Sequence, residues 1–170
     1  MPNDVVVGVA DCRISGEPGE VLVTYALGSC IAVAIHDAEA QVGGLLHFML
    51  PESSLDRAKA AKNPFLFADT GVPLLFRATY ERGAEKRRLR VQVAGWAQVI
   101  DDNGVFNIGK CNYLALRKIL WKAGVLIHNE AVGGSASRTV RLDVASGKLW
   151  LRTPGGADQE VPRAAAQNRG

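Results

Sequence analysis

Apolar and polar positions along the chain divide it into short strands, with two longer segments of helical period between them. Runs rich in β-branched residues, bounded by Gly, Pro or polar clusters, predict strands. In the first third of the chain these strands lie at 5–10, 21–25, 30–36 and 42–50, the last ending before Pro51. Further strands are predicted at 89–94, 125–127, 139–144 and 149–152, with a hairpin turn at Ser146-Gly147.

The two longer segments have the apolar spacing of amphipathic helices. The first helix is predicted over 66–82, beginning close to Pro73, and the second from a capping Asn107 to Gly124. The predicted buried stripes are Ala68, Val72, Leu75, Phe76 and Tyr80 in the first helix, and Tyr113, Leu114, Leu116, Leu120 and Trp121 in the second. The polar stretch 52–65 has no clear period and is predicted to be a long loop, and 101–104 to be a turn.

This order of elements predicts an α/β or α+β fold: a single-domain layered sandwich in which a mixed β-sheet packs against two main helices. A length of 170 residues with 48% hydrophobic content is enough for one core. We therefore expect one domain over 1–155. The last residues, 156–170, are rich in Gly, Ala and Gln, and we expect them to be a disordered tail.

Charge and cysteine content exclude several classes of protein. The net charge of +3 comes mostly from a cluster around 86–88, which is typical of a solvated strand end rather than of a nucleic-acid site. Three widely spaced cysteines argue against a disulfide framework or a structural zinc site, and favour a reducing cytoplasm. No apolar run reaches the roughly 20 residues of a membrane span, and no leader pattern is present at the N-terminus. Nucleotide and zinc-peptidase motifs are missing too, so we expect neither a metal nor an organic cofactor.

The candidate chemistry lies between residues 21 and 51. Cys30 follows a Gly28-Ser29 turn, where the backbone can expose the sulfur and direct N–H groups at a reacting carbonyl. Gly28 and Ser29 are therefore the candidate substrate-binding residues. His47 on a neighbouring strand would serve as the base, and Thr24 would orient its imidazole. A neighbouring imidazolium would lower the pKa of the thiol below the free value of about 8.5.

A structural interpretation competes with the catalytic one. Cysteine is often a small buried core residue, and a histidine among apolar neighbours is often a core residue bonded to a carbonyl. The proximity of Cys30 and His47 on neighbouring strands of one short segment favours catalysis. Cys12 has no histidine close in sequence, His36 falls at a strand end near a turn, and His128 has no cysteine close in sequence, so they are weaker candidates.

At this point several motifs resemble the CheD family of chemoreceptor glutamine deamidases. They are Val23-Thr24, Leu27-Gly28-Ser29-Cys30, Val42-Gly43-Gly44, His47-Phe48-Met49-Leu50-Pro51, Asn107-Ile108-Gly109, Asn112, Gly133-Gly134 and Arg138. The resemblance covers roughly residues 5 to 153. It implies that Cys30 is the nucleophile, His47 its base and Thr24 the orienting residue. It also implies two partners: methyl-accepting chemoreceptors, through their cytoplasmic helices, and a CheC-type phosphatase.

The chain also departs from the pattern of this family. Ala26 and Trp96 stand where the family usually has glycine, and Cys111 where it usually has arginine. These departures leave open an alternative function, a catalytically silent binding module that docks to a CheC-type phosphatase or a receptor through Trp96 and Tyr25. A general cysteine peptidase is the weakest alternative, because no Asn or Asp partner for the histidine is evident.

Overall fold

The computed structural model describes residues 3–97, 108–134 and 136–165. The strands in these ranges are β1 (Asn3–Val6), β2 (Asp11–Ser15), β3 (Glu20–Leu27), β4 (Ile31–Asp37), β5 (Val42–Phe48), β6 (Arg90–Gly95), β7 (Asn129–Val132), β8 (Arg138–Asp143), β9 (Leu149–Arg152) and β10 (Gln159–Glu160). The α-helices are α1 (Arg57–Lys62), α2 (Ala68–Glu81) and α3 (Ile108–Lys122).

The strands form two five-stranded mixed sheets. The outer sheet has the order β1-β3-β8-β9-β10, and the central sheet has the order β2-β5-β4-β6-β7. In each sheet one pair is parallel, β1 with β3 and β6 with β7, and the other pairs are antiparallel. The α/β class and the single domain are confirmed. The strands form two sheets, however, and not the one mixed sheet that we predicted. The chain passes from the outer to the central sheet between β3 and β4.

The central sheet is buried on both faces, which explains the uninterrupted apolar run of β4. Ile31, Val33 and Ile35 point to one side and pack against side chains of α2 and α3. Ala32 and Ala34 point to the other side and pack against the outer sheet. The layers are therefore helices, central sheet and outer sheet, and the small alanine side chains lie where the two sheets face each other.

The N-terminal prediction is wrong in detail. The first strand ends at Val6 rather than Ala10, and β2 occupies Asp11–Ser15, where no strand was predicted. β2 pairs antiparallel with β5 at the edge of the central sheet. Its sequence, DCRIS, alternates polar and apolar residues, and Cys12 and Ile14 pack against the core, so the prediction missed a short half-buried strand that the local pattern does indicate.

A second error concerns the region after α3. Residues 125–127 do not form the predicted strand, and β7 begins instead at Asn129. Ile127 is buried and belongs to the core beneath the helices, so this apolar run covers the helical layer in irregular backbone. A short apolar run does not by itself distinguish a buried strand from another kind of buried segment.

Both long helices are confirmed, with corrections. Tyr80, assigned to the buried stripe of α2, is 38% exposed, and Leu114 and Trp121, assigned to that of α3, are 54% and 58% exposed. The predicted Asn107 cap and the turn at 101–104 lie outside the described residues. The stretch 52–65 is not a simple loop, because it contains α1, whose first turn is capped by the Asp56 carboxylate.

The disordered tail is also corrected over 156–165. Gln159–Glu160 pair with β9, and Val161 is only 1% exposed in the core between the sheets. Residues 166–170 lie outside the described part of the chain. Among the described residues, no helix combines the length and the apolar character that crossing a bilayer would take.

Candidate active site

The segment that joins the two sheets carries the candidate nucleophile. The pairing of β3 with β8 shifts register between Thr24 and Leu27, and Ala26 in this bulge has a φ of 56°. Gly28 and Ser29 then bring the chain across to the central sheet, and Cys30 lies immediately before β4. Cys30 is therefore held at the end of a buried strand, and its side chain remains half-buried.

Cys30 and His47 lie on the same face of the central sheet. Ala32 is directly opposite His47 in the β4–β5 ladder, and Cys30 precedes Ala32 by two residues. Because side chains alternate between faces along a strand, this spacing directs Cys30 to the His47 side. Cys30 packs against the cluster that contains Ala32, Ala34 and Leu45, which confirms that it faces the space between the sheets.

A hydrogen bond between the two sheets fixes the tautomer of His47. Thr24 Oγ1, on β3, lies 2.7 Å from His47 Nδ1 and also 2.7 Å from the carbonyl oxygen of Val7. A carbonyl only accepts, so the single hydroxyl proton of Thr24 goes to Val7. The Thr24 oxygen must then accept a proton from His47, which places that proton on Nδ1 and leaves a lone pair on Nε2.

The burial of His47 determines its charge. The side chain is 1% exposed, and this burial lowers the pKa of His47 to about 4. Its Nε2 atom is buried and has no hydrogen-bond partner in the described structure. At neutral pH His47 is therefore an uncharged imidazole with a free basic nitrogen.

The thiol of Cys30 does not have the lowered pKa that we expected from the sequence. Burial raises the pKa of Cys30, and its own backbone N–H, which favours the thiolate, opposes this only in part. The expectation is wrong because it assumed a neighbouring imidazolium, whereas His47 is neutral. The resting pair is a neutral thiol and a neutral imidazole.

The candidate substrate-binding turn is held by hydrogen bonds that its backbone carbonyl groups accept. The Gly28 carbonyl accepts a hydrogen bond of 2.8 Å from the Ala97 N–H, and the Cys30 carbonyl accepts one of 3.1 Å from the Trp96 N–H. The Ser29 carbonyl accepts a 3.0 Å bond from the side-chain amide of Asn112. The segment after β6 and the helix α3 therefore fix the conformation of the turn.

Comparison with known proteins gives the family of the chain. Residues 49–153 match the family model described as CheD chemotactic sensory transduction. A protein of Solibacter usitatus named "Probable chemoreceptor glutamine deamidase CheD" is 56% identical over 94% of this chain and 95% of its own length. "Probable chemoreceptor glutamine deamidase CheD 1" of Syntrophus aciditrophicus is 52% identical over 94% of this chain and 99% of its own length. Matches of this extent include the segment with Thr24, Cys30 and His47, which precedes the region covered by the family model.

The chain belongs to the CheD family. Ala26 and Trp96, which stand where the family pattern has glycine, share a left-handed backbone conformation. Ala26 has a φ of 56° and Trp96 a φ of 54°. This left-handed conformation favours glycine and strains other residues. Trp96 stacks on Tyr113 with ring centroids 5.3 Å apart, a contact that helps to hold the strained residue in place.

Gly95, immediately before Trp96, is a position at which the backbone of this chain requires glycine. It has a φ of 126°, and a Cβ atom at this position would overlap the carbonyl oxygen of Cys30. Arg138 reaches from the outer sheet and donates a 3.0 Å hydrogen bond to the Gly95 carbonyl, and a second one to the Gly133 carbonyl. These groups support the backbone next to Cys30.

His36, His128 and Cys12 have other surroundings than the Cys30–His47 pair. His36 donates from Nε2 to the carbonyl of Val144 at 2.7 Å, and His128 accepts from a backbone N–H through Nδ1. Burial, aided by the neighbouring Asp11, raises the pKa of Cys12 to about 12. Across the described ranges, no three His, Cys, Asp or Glu side chains form a group that could hold a metal ion.

Sequence reasoning missed the supports around Cys30. Asn112 and Arg138 stood out only as positions shared with the CheD pattern, and Val7 carried no signal because it contributes a main-chain carbonyl. Tyr25, one of the two proposed docking residues, is 46% exposed, whereas Trp96 is half-buried against Tyr113. Trp96 is therefore mainly a packing residue of the site's border.

Proposed function

We propose that this CheD protein is a protein-glutamine glutaminase, which hydrolyses glutamine side-chain amides of chemoreceptors to glutamate and ammonia. The observation that carries the proposal is the Thr24–His47 hydrogen bond, since it leaves an unpartnered basic nitrogen on the face shared with Cys30. The names of the two relatives describe the same activity.

In the first step the Cys30 sulfur attacks the carboxamide carbon of the substrate. Because the resting thiol is neutral, His47 Nε2 takes its proton as the sulfur–carbon bond forms. The Thr24 hydroxyl accepts from Nδ1–H throughout, so the ring stays oriented and the new positive charge has a hydrogen-bond partner. The amide N–H groups of Ser29 and Cys30 are the candidate donors to the oxyanion.

In the second step ammonia leaves and a thioester remains on Cys30. A buried imidazolium is a strong acid, because the pKa of His47 is held at about 4, and it gives its proton readily to the departing nitrogen. A water molecule then enters, gives a proton to His47 Nε2 and attacks the thioester carbon; the carbon–sulfur bond breaks, and His47 returns the proton to the Cys30 sulfur. The products are the glutamate side chain and the restored Cys30 thiol.

The shape of the site favours a side-chain amide over a peptide bond. His47 is 1% exposed and Cys30 is half-buried, so the reacting group has to enter between two sheets. The slender side chain of glutamine can do this while its own backbone stays in a helix on the surface. An extended main chain, as a peptidase requires, needs an open groove along the nucleophile.

The direct test uses helical fragments of receptor signalling domains as substrates. Mass spectrometry should detect a gain of about one mass unit per converted glutamine with the native protein and none with Cys30→Ala. Cys12→Ala is the matched control, because it removes another half-buried thiol and should leave conversion unchanged. No mass change at any glutamine with folded native protein would contradict the proposal.

Partner and location remain separate predictions. If the activity is present, the substrate implies action at the cytoplasmic helices of receptors. Docking to a CheC-type phosphatase rests on the family resemblance alone, and a pull-down with a purified CheC-type protein would test it. Binding without any deamidation would instead favour the silent binding module.

A further inference from the structure

We infer that Asn112 is a positioning residue that holds Cys30 in line with His47. The inference rests on the proposed function, because it assigns to α3 a role in the geometry of the same reaction. The hydrogen bonds of Asn112 in the described structure go to backbone carbonyls and not to the thiol or the imidazole. It acts through the backbone on either side of the site.

The side-chain amide of Asn112 joins the two chain segments that carry the reacting groups. Its Nδ2 donates a 3.0 Å hydrogen bond to the Ser29 carbonyl and a 2.8 Å bond to the Met49 carbonyl. Ser29 directly precedes Cys30, and Met49 lies two residues after His47. The residue is fully buried at 0% exposure, so solvent does not compete for these bonds.

These bonds lie where the β-ladder has ended. The β4–β5 ladder ends with the pair of Ile31 and Phe48, one residue short of Cys30 and Met49. Beyond it, the Met49 N–H turns away to the Leu66 carbonyl, while the Cys30 carbonyl binds the Trp96 N–H. The two segments are thus diverging at the nucleophile, and the amide of Asn112 bridges them.

Packing alone does not explain an asparagine at this position. Its Oδ1 atom is buried and has no partner in the described structure, which is unfavourable. A leucine has a similar branched shape and would leave no polar atom of its own unpaired. What only the amide supplies is a pair of N–H donors on one nitrogen, one for each carbonyl.

A double-mutant cycle on Cys30 reactivity tests this role. Alkylation of Cys30 by iodoacetamide at pH 7 is followed by peptide mapping in native protein, His47→Ala, Asn112→Leu and the double variant. In the native background, loss of the base should slow alkylation about tenfold. In the Asn112→Leu background the same loss should change the rate by less than about twofold, because Cys30 no longer lies in line with His47.

Asn129→Leu is the matched control. Asn129 is also a buried asparagine, 6% exposed, whose Nδ2 donates to a backbone carbonyl, that of Val161, far from Cys30. In this background His47→Ala should still slow alkylation about tenfold. If Asn112→Leu does not fold, Asn112→Ser replaces it, since the smaller side chain keeps one donor and should give an intermediate factor.

Turnover provides the second readout. In Asn112→Leu, kcat for receptor-helix deamidation should fall while KM stays within about twofold, and Asn129→Leu should keep the native kcat. An unchanged His47 effect on alkylation in folded Asn112→Leu would overturn the inference. If the native protein deamidates nothing, the proposed function fails, but the alkylation cycle still decides whether Asn112 positions Cys30.

Discussion

Replacing Thr24 with valine removes the hydroxyl that joins the two sheets at His47, with almost no change in side-chain shape. The hydroxyl accepts from His47 Nδ1 and donates to the Val7 carbonyl, both at 2.7 Å. All three residues are 1% exposed, so water does not replace the lost partner. Thr24→Val therefore leaves one buried donor and one buried acceptor unpaired.

The expected effects on stability and rate follow from these two bonds. Each unpaired buried group costs about 1–3 kcal/mol, so the free energy of unfolding should fall by roughly 2–6 kcal/mol for the two groups. In the transition state His47 becomes an imidazolium, and a hydrogen bond to a charged group contributes about 1.5–3 kcal/mol. Its loss corresponds to a decrease in kcat of about 10- to 150-fold.

The assay combines receptor-helix deamidation with denaturant unfolding of the same preparations. Thr79→Val is the matched control, because Thr79 is also 1% exposed and its hydroxyl bonds only the Phe76 carbonyl within α2. This variant should lose some stability and keep native kcat. Thr24→Ser retains the hydroxyl and should recover most of the rate. A folded Thr24→Val protein with native kcat would refute the argument that the hydroxyl orients and supports the imidazole.

Three further predictions use the same geometry. The pKa of His47 is about 4 when folded and about 6.5 when unfolded, so the unfolded state binds more protons between these values and stability falls as pH falls. From pH 7 to pH 5 the native protein should lose about 2 kcal/mol more unfolding free energy than His47→Gln, and equal losses would count against the buried neutral ring. Peptide mapping after alkylation at pH 6.5 should show that Cys111, which is exposed, is modified first and that Cys12 is modified last. Fastest modification of Cys30 would instead indicate a preformed thiolate and contradict its raised pKa. Ala26→Gly should raise the free energy of unfolding by about 0.5–1 kcal/mol, because the residue is exposed at a φ of 56°, and a decrease on denaturant titration would contradict the assigned strain.

The local pattern was sufficient for the elements around the site but not for their assembly. The apolar runs of β3, β4 and β5 predict three strands near Cys30 and His47, and the structure contains all three. Period and composition do not state which strands pair, so the division into two sheets was not predicted. β2 was missed although its five residues alternate polar and apolar, because Gly16, Pro18 and Gly19 directly after it favoured a loop.

The charge state of the site could not be predicted from sequence neighbours. The segment with Cys30 and His47 indicates a thiol–imidazole pair, and from that pair alone a lowered thiol pKa follows. Burial is a property of the assembled layers, and it moves both groups towards their neutral forms. The partner of Thr24 was equally hidden, because any residue at position 7 presents the same carbonyl.

The Thr24–His47 hydrogen bond also makes activity depend on the contact between the two sheets. The imidazole is carried by one sheet and its orienting hydroxyl by the other, so the site exists only while the two sheets are docked. A small separation of the two sheets would break this hydrogen bond and abolish activity before any strand or helix unfolds. Turnover measured along a denaturant or temperature series should therefore decline ahead of the circular dichroism signal. Any ligand that wedges the sheets apart would act as an inhibitor without approaching the thiol.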